Sequence, residues 1–405
     1  MASPFTMSCC ILDTMLVPNF HNLFKTFGQW WDKGSGARLK ARRGCVGLKV
    51  FYGAVKYGKD RESQDRVVSY KTGGRWEDGQ SGDPQLFQAC CEQQSIEVWD
   101  LWLHSKQGTK ARAMIRARPD IRLFEHLQGR LRDGDMIEVI GPPGTPHASI
   151  CHEAVVSLKS EFPRPYRLDA SKRRDLSDVW QGCARLANIP PCSHFDEFVR
   201  AAKDRGCIFI IERLDVLCAS FLSGSHADEH AREIIRWLND LNEQPLSLVV
   251  CGNLQVKALV RLINPAIESS PHSLKLVDFP TNVRWCAYEW EMWCEQRLRG
   301  NGLGAADREK LQSGAARNPG ALDTGLAWKG QVEEKLNAIK MYHRDVASQI
   351  HGLIPRTSWT LFFRAVLDKD QTSPAFEMLK DGGVVESTLD EAWKPRWTEL
   401  RNTSK

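Results

Sequence analysis

The chain has 405 residues, of which 42% are hydrophobic and 26% are charged, and a formal net charge of +5. This composition is that of a globular protein, and the length predicts two or three domains. The thirteen cysteines form no CxxC pair and have no regular spacing, which argues against a zinc ribbon and a disulfide framework. No segment approaches the ~18 apolar residues of a membrane helix, so we expect a cytoplasmic or nuclear protein without a membrane partner.

Basic residues are concentrated in the N-terminal third. Between positions 33 and 61 nine Lys or Arg residues stand against one acid, and between positions 103 and 132 eight stand against two. Such clusters favour polyanionic partners, although a solvated surface is the commoner reason for a single basic run. We therefore predict contact with DNA or RNA. The residues expected to make this contact are Arg38, Lys40, Arg42 and Arg43.

The first 118 residues show no recognisable fold. The alternating segment from Val46 to Tyr52 predicts a strand. The glycine- and serine-rich stretch from Thr72 to Asp83 predicts a loop before the apolar run from Val98 to Leu103. This N-terminal basic region is therefore expected to be a domain separate from the rest of the chain.

From about residue 119 the pattern becomes regular. The spacing of apolar residues predicts a helix from Ile121 to Leu131 and a strand from Met136 to Ile140. Directly after the strand comes the sequence Gly-Pro-Pro-Gly-Thr, residues 141–145. Glycines at such a place let backbone N–H groups curl around phosphate oxygens, and the next helix offers its N-terminus to the anion. The sequence thus predicts a phosphate-binding loop.

Two further apolar runs predict buried parallel strands. The run from Cys207 to Ile211 ends in Glu212, and the run from Leu246 to Cys251 is followed by Asn253. A helix with one apolar face, from Glu233 to Leu241, lies between them. We expect the turn after Ile140 and the acid after Ile211 to close adjacent parallel strands, so that their side chains converge on one cleft.

These features, in this order, resemble the P-loop NTPases of the AAA+ and STAND types. Gly-Pro-Pro-Gly-Thr resembles the start of the Walker A motif, and the strand ending in Glu212 resembles Walker B; a RecA-like domain is the nearest competitor. The resemblance implies an α/β fold with a parallel-sheet core, a helical lid and a C-terminal winged-helix-like region. The implied domains are residues 1–118, 119–270, 271–330 and 331–405.

The chain departs from the family pattern at the positions that bind phosphate and metal and activate water. Pro146, His147 and Ala148 stand where the pattern has glycine, lysine and a hydroxyl residue, and Arg213 replaces the glutamate that polarises water. Both Walker motifs are therefore degenerate. We predict impaired hydrolysis, and a chain that binds ATP or ADP, with or without Mg²⁺, or neither.

The resemblance assigns roles to individual residues. Glu212 and Asp215 are candidate catalytic acids, with helix capping the preferred interpretation of Asp215, and Glu212 and Ser149 are candidate Mg²⁺ ligands. Asn253 is either a sensor of the γ-phosphate or an ordinary turn residue. Arg317 precedes an Asn-Pro-Gly turn like that of the family's lid, and is either a nucleotide sensor or a solvated arginine. The candidate nucleotide-binding residues are Gly141, Pro142, Pro143, Gly144, Thr145, His147, Ser149, Asn253 and Arg317.

Two functional classes are compatible with these features. The first is a nucleotide-binding, non-hydrolysing module that acts as a nucleic-acid-associated switch or assembly factor. The alternative is an inactive pseudo-ATPase scaffold or effector that binds another protein or a second copy of itself. The two differ in the expected response to charge reversal in the basic segment, which weakens salt-sensitive nucleic-acid binding only in the first.

Overall fold

The computed structural model describes residues 20–53, 55–59, 65–94, 96–132, 136–158, 164–243, 246–263, 287–381, 384 and 388–404. The chain divides into two compact units. The N-terminal unit comprises residues 1–122 and 285–296, and the sheet unit comprises residues 123–284 and 297–405. The finer division into four domains stays a prediction. Among the described residues, none of the helices combines the length and apolar character needed to cross a membrane.

The N-terminal unit is mostly helical and contains one antiparallel hairpin, formed by β1 (Lys56–Lys59) and β2 (Asp65–Val67). The divisions between the units fall within α9 (Ile121–Arg132) and α16 (Ala287–Leu298). The other helices of this unit are α1 (Phe20–Lys25), α2 (Phe27–Trp30), α3 (Lys33–Arg43), α4 (Leu48–Gly53), α5 (Tyr70–Glu77), α6 (Pro84–Gln93), α7 (Val98–Leu103) and α8 (Thr109–Ala117).

Two sequence-based predictions in this unit are wrong. The segment predicted as a strand from Val46 forms α4, and the predicted loop from Thr72 begins inside α5. The hydroxyl of Ser69 accepts a hydrogen bond from the first turn of α5, which favours a helix start. Gly73 lowers helix propensity, but it lets α5 approach the ring of Tyr52 on α4. Tertiary packing therefore outweighs the local turn signal.

The sheet unit contains four parallel strands in the order β3, β6, β5, β4. The two inner strands are the most apolar, because both faces of the sheet are covered. Phe209 and Leu248 belong to the core on one face, whereas Ile210 and Val249 belong to the core on the other. The strands are β3 (Ile137–Ile140), β4 (Arg164–Asp169), β5 (Cys207–Glu212) and β6 (Leu248–Gly252).

The predicted α/β class with a parallel-sheet core is confirmed. The expectation that β3 and β5 are adjacent is wrong, because β6 lies between them. Helices of the core are α10 (His147–Ser157), α11 (Leu176–Leu186), α12 (Phe195–Asp204), α13 (Leu214–Leu222), α14 (Ala227–Glu243) and α15 (Val256–Ile263). Apolar residues at positions 274, 276 and 277 predict a further short strand, and this segment lies outside the described residues.

Helices follow the core to the end of the described chain. The predicted helical lid is represented by α17 (Ala305–Gly314) and α18 (Pro319–Ala327). The C-terminal region, which is predicted to be winged-helix-like, consists of helices and short connections in its described residues. Val384, after the third of these helices, lies in a bend, and the next residue, Val385, lies outside the described residues. Its helices are α19 (Val332–Gly352), α20 (Trp359–Val366), α21 (Pro374–Asp381) and α22 (Thr388–Thr403).

Candidate functional site

The candidate site lies at the carboxyl ends of β3, β6 and β5, where parallel sheets offer a crevice to ligands. Ile140 is opposite Gly252, and Glu212 is opposite Cys251. Since neighbouring strands are about 4.8 Å apart, the ends of β3 and β5 are separated by about 10 Å. The structure therefore places both motifs on one crevice, with Asn253 at the end of the strand between them.

The glycine loop, residues 141–146, has few hydrogen-bond donors for a phosphate. Its three prolines have no N–H. The N–H groups of Gly141 and Thr145 each donate to a carbonyl oxygen of the protein at 3.1 Å. Within the described structure, the N–H groups of Gly144 and of His147, Ala148 and Ser149 in the first turn of α10 make no backbone hydrogen bond. Phosphate loops depend on several convergent N–H groups, and the three prolines remove part of that set, so we expect this loop to hold a phosphate weakly.

The lid turn, residues 318–320, packs directly on the glycine loop. Asn318 Nδ2 donates a hydrogen bond to Pro143 O at 2.8 Å, and Gly320 N donates to Gly144 O at 2.9 Å. Gly144 has a φ of +87°, which favours glycine. A Cβ atom at this position would also overlap the Tyr342 hydroxyl of α19. Gly144 of the glycine loop therefore contacts the lid.

His147 occupies the position of the family's lysine and is buried. Burial lowers its pKa to about 4, although a hydrogen bond with Thr145 acts in the opposite direction. Its Nδ1 lies 2.7 Å from Oγ1 of Thr145. The imidazole is therefore neutral at pH 7 and brings no positive charge to a phosphate. Ser149 is exposed on the first turn of α10.

The two residues at the Walker B position form ion pairs with residues of β4. Both carboxylate oxygens of Glu212 accept hydrogen bonds from the guanidinium of Arg167. Arg213 precedes α13 with a φ of +57° and pairs with Asp169. Mg²⁺ requires free carboxylate oxygens and water at near-octahedral positions. With Glu212 held in this way, the residues present do not fit a Mg²⁺ site.

Asp215 lies in the first turn of α13, and its carboxylate also holds a neighbouring turn. Its Oδ2 accepts hydrogen bonds from the N–H groups of Asn253 at 2.7 Å and Leu254 at 3.1 Å, while Oδ1 is buried without a hydrogen-bond donor. Glu138 of β3 accepts from Val256 N in the same turn at 2.9 Å. Burial raises the pKa of Asp215 above its usual value and that of Glu138 to about 7. Two buried carboxyl groups therefore position the turn that carries Asn253.

The lid contact gives a testable effect on stability. Asn318 also caps α18, because its Oδ1 accepts from Ala321 N at 3.1 Å. We expect Asn318→Ala to lower the free energy of unfolding by about 2 kcal/mol, from the lost cap and the lost bond to Pro143 O. Asn318→Ser keeps a capping hydroxyl, so its loss should be about 1 kcal/mol. Urea denaturation measures both; equal losses for the two variants would contradict this assignment.

Two of the predicted nucleic-acid contacts are held by a buried acid. In the N-terminal unit, Arg38 donates to both carboxylate oxygens of Asp100 at 2.8 and 3.1 Å, and Arg42 donates to Oδ2 at 3.1 Å. Burial opposes the ionisation of Asp100, but these arginines outweigh it and hold its pKa below the usual value. Arg38 also pairs with Glu291 at 2.9 Å. These side chains stabilise the fold.

The other two predicted contacts differ from each other. Arg43 forms a bidentate pair with the buried carboxylate of Glu77, at 2.6 and 2.9 Å, and Tyr52 donates to the same carboxylate at 2.9 Å. Lys40 is exposed. Of the four basic residues, Lys40 is the one that the structure presents to solvent without an ion pair in the described part of the chain.

Sequence reasoning missed the partners of the motif residues. Arg167 lies 45 residues before Glu212, and Asn318 lies 175 residues after Pro143. Tyr342 belongs to a predicted helix and carries no motif of its own. Glu138 offered one signal, since it is the single acid in an otherwise apolar strand that enters the glycine loop. Arg317, with a φ of +60°, directly precedes the residue that contacts the loop.

Comparison with known proteins gives no family assignment. No family model matches the chain, and no curated protein matches it. The ORC2 protein of Aeropyrum pernix, solved as ADPNP-ADP complexes, is 13% identical, with a TM-score of 0.36 over 70% of this chain and 95% of that chain. Cdc6p from Pyrobaculum aerophilum is 16% identical, with a TM-score of 0.32 over 70% of this chain and 86% of that chain. Similarity this weak carries no functional inference.

Proposed function

We propose that the sheet unit is an AAA+-like module that does not hydrolyse nucleotide and acts as a switch. ATP or ADP bound at the glycine loop competes with docking of the lid turn on the same loop. Ligand binding is thereby converted into release of the lid, and Mg²⁺ takes no part. The degenerate Walker motifs define a module that senses a ligand without turnover.

One observation carries this proposal: the lid turn contacts the glycine loop through two hydrogen bonds. The bonds from Asn318 and Gly320 fix the carbonyl groups of Pro143 and Gly144, which sets the direction of the peptide planes in the loop. A phosphate that reorients these planes must break the lid contact. A ligand shifts a two-state equilibrium only by its different affinity for the two states, and this contact supplies that difference.

Loss of hydrolysis is expected from charge as well as from geometry. The transition state for phosphoryl transfer is stabilised mainly by positive charge, metal and an oriented nucleophile. Here the lysine is replaced by the neutral His147, and Glu212 is held by Arg167. Arg213 cannot act as a general base, because a guanidinium stays protonated.

Calorimetric titration with ATP and ADP tests the switch. We expect weak affinity, in the high micromolar range or above, equal with and without Mg²⁺, and no phosphate release. Asn318→Ser weakens the closed state by about 1 kcal/mol, so affinity should rise about fivefold. His147→Lys should raise it further by restoring a positive charge. A Mg²⁺-dependent turnover would refute the proposal, and so would an Asn318→Ser variant with unchanged or weaker affinity.

The second candidate is a pseudo-ATPase scaffold that binds another protein. The ion pairs of Arg38, Arg42 and Arg43 favour it, since they engage three predicted nucleic-acid contacts with acidic residues of the chain. The same titration separates the two candidates. A scaffold gives no heat of binding for the wild-type chain, for Asn318→Ser or for His147→Lys, whereas the switch gives a graded series.

A further inference from the structure

Exposed apolar side chains are concentrated in one part of the N-terminal unit. Seven large apolar side chains are exposed in the described residues, and four of these lie between positions 46 and 70. They are Val46, Val50, Val67 and Tyr70. Val50 is 70% exposed and Tyr70 is 43% exposed. Single exposed apolar residues are normal, but a concentration of them marks a binding surface.

Close packing of α4 on α5 places a lysine beside an exposed aromatic ring. Gly73 of α5 lies against the buried ring of Tyr52 on α4, where a Cβ atom would overlap that ring. On the exposed side of the same helix pair, Lys49 Nζ is 5.9 Å from the centre of the Tyr70 ring. The ammonium group therefore lies over the ring of a tyrosine that is 43% exposed.

The charge of this region is strongly positive. Between positions 33 and 77 the chain has twelve basic residues and four acidic ones. One of these acids, Glu77, is buried against Arg43. By contrast, Lys49, Lys71 and Arg75 are exposed, and none of them forms an ion pair in the part of the chain that the structure describes. Uncompensated positive charge attracts a polyanion.

We propose that the α4–α5 face, formed by Lys49, Val50, Tyr70, Lys71 and Arg75, binds single-stranded nucleic acid. A base stacks on the Tyr70 ring, and the phosphates lie along the three basic side chains. An unpaired nucleotide stacks its base on the flat ring and places its phosphate against the basic side chains. A duplex keeps its bases stacked on one another, and an acidic peptide uses the charge alone. The inference gives the partner for the nucleic-acid association of the proposed switch and in that respect rests on it.

Fluorescence anisotropy of the full chain with labelled oligothymidylate tests this face. We expect Tyr70→Ala to weaken binding about tenfold, the effect of losing one stacked base, and Tyr70→Phe to retain it. Lys49→Glu and Lys71→Glu should each weaken binding and lower the slope of affinity against salt by about 1 to 2. A duplex of the same length should bind more weakly than the single strand.

Trp328 provides a matched control. It is an exposed residue, 54% accessible, in the sheet unit, and charges of both signs follow it in the sequence, at Lys329, Glu333 and Glu334. Trp328→Ala should leave binding unchanged. The proposal is overturned if Tyr70→Ala has no effect, if the duplex binds equally well, or if polyglutamate displaces the oligonucleotide as effectively as unlabelled oligothymidylate. Nucleotide titration does not involve this face, so failure here and failure of the switch give separate results.

Discussion

Charge reversal at Arg38 is expected to lower the free energy of unfolding of the N-terminal unit by about 4 kcal/mol, because it leaves a buried acid beside a new one. Asp100 has no solvent exposure and depends on Arg38 and Arg42 for its counter-charge. The same change at Lys40, which is exposed on the same helix, should alter stability by no more than about 0.5 kcal/mol. Chemical denaturation of Arg38→Glu and Lys40→Glu measures the difference.

A milder variant keeps this prediction testable if Arg38→Glu does not fold. Arg38→Met retains the apolar stem but removes the charge, and we expect it to cost about 2 kcal/mol, because Arg42 still pairs with Asp100. Equal stability of the Arg38 and Lys40 variants would show that the ion pair contributes nothing to the fold. The stability comparison is also a control for nucleic-acid binding assays, because an unfolded Arg38→Glu variant loses binding whether or not Arg38 contacts nucleic acid.

Three of the four strands, β3, β5 and β6, were predictable because they are buried on both faces, whereas the partly exposed β4 was not predicted. Alternate residues of β5, such as Phe209 and Ile210, enter different cores, so the strand reads as a continuous apolar run. The order of the strands was not predictable in the same way. Insertion of β6 between β3 and β5 depends on crossover connections, and no residue within a single strand specifies it.

In the N-terminal unit the local signal and the tertiary contacts disagree. Alternating apolar residues from Val46 onward favour a strand, yet the side chain of Tyr52 is satisfied only by packing on α5 and bonding to Glu77. Those partners lie about two dozen residues further along the chain. Helix propensity and periodicity cannot include such contacts, which explains why the prediction failed here and succeeded for the longer, regular α9.

The site was predictable as a location but not as a set of contacts. The motif order brought the glycine loop, Glu212 and Asn253 to one sheet edge, as expected. The contacts of the motif residues are made with residues outside the motifs. Arg167 forms an ion pair with Glu212, and Tyr342 lies against Gly144. A motif with altered residues therefore indicates where to look, whereas its remaining function depends on the partners that the fold supplies.

A large pH effect is expected at Glu138, comparable in size to that of the buried His147 and opposite in sign. The folded pKa of Glu138 is about 7, raised mainly by burial and further by the nearby Asp215, against an ordinary value of 4.5. Between these two pH values the carboxyl group of Glu138 binds more protons in the native state than in the unfolded chain, so its contribution to stability falls as pH rises. The shift corresponds to about 3 kcal/mol lost across this interval. Asp215, whose pKa is also raised, contributes with the same sign.

Glu138→Gln isolates this effect. The amide oxygen of glutamine can still accept the hydrogen bond from Val256 N, but the side chain carries no proton that titrates. Above pH 7 the variant should therefore be more stable than the wild type by up to about 3 kcal/mol, and near pH 4.5 the two should be similar. Groups that do not interact with Glu138 contribute equally to both proteins and cancel in the difference. Asp215, Lys257 and Cys218 do interact with it, so their response to the substitution is part of the measured effect. Parallel curves of stability against pH would contradict a buried, titrating Glu138. A stability difference between the two proteins that disappears only at low pH would confirm this interpretation. The turn carrying Asn253 would then be held by a carboxyl group whose ionisation is opposed by burial.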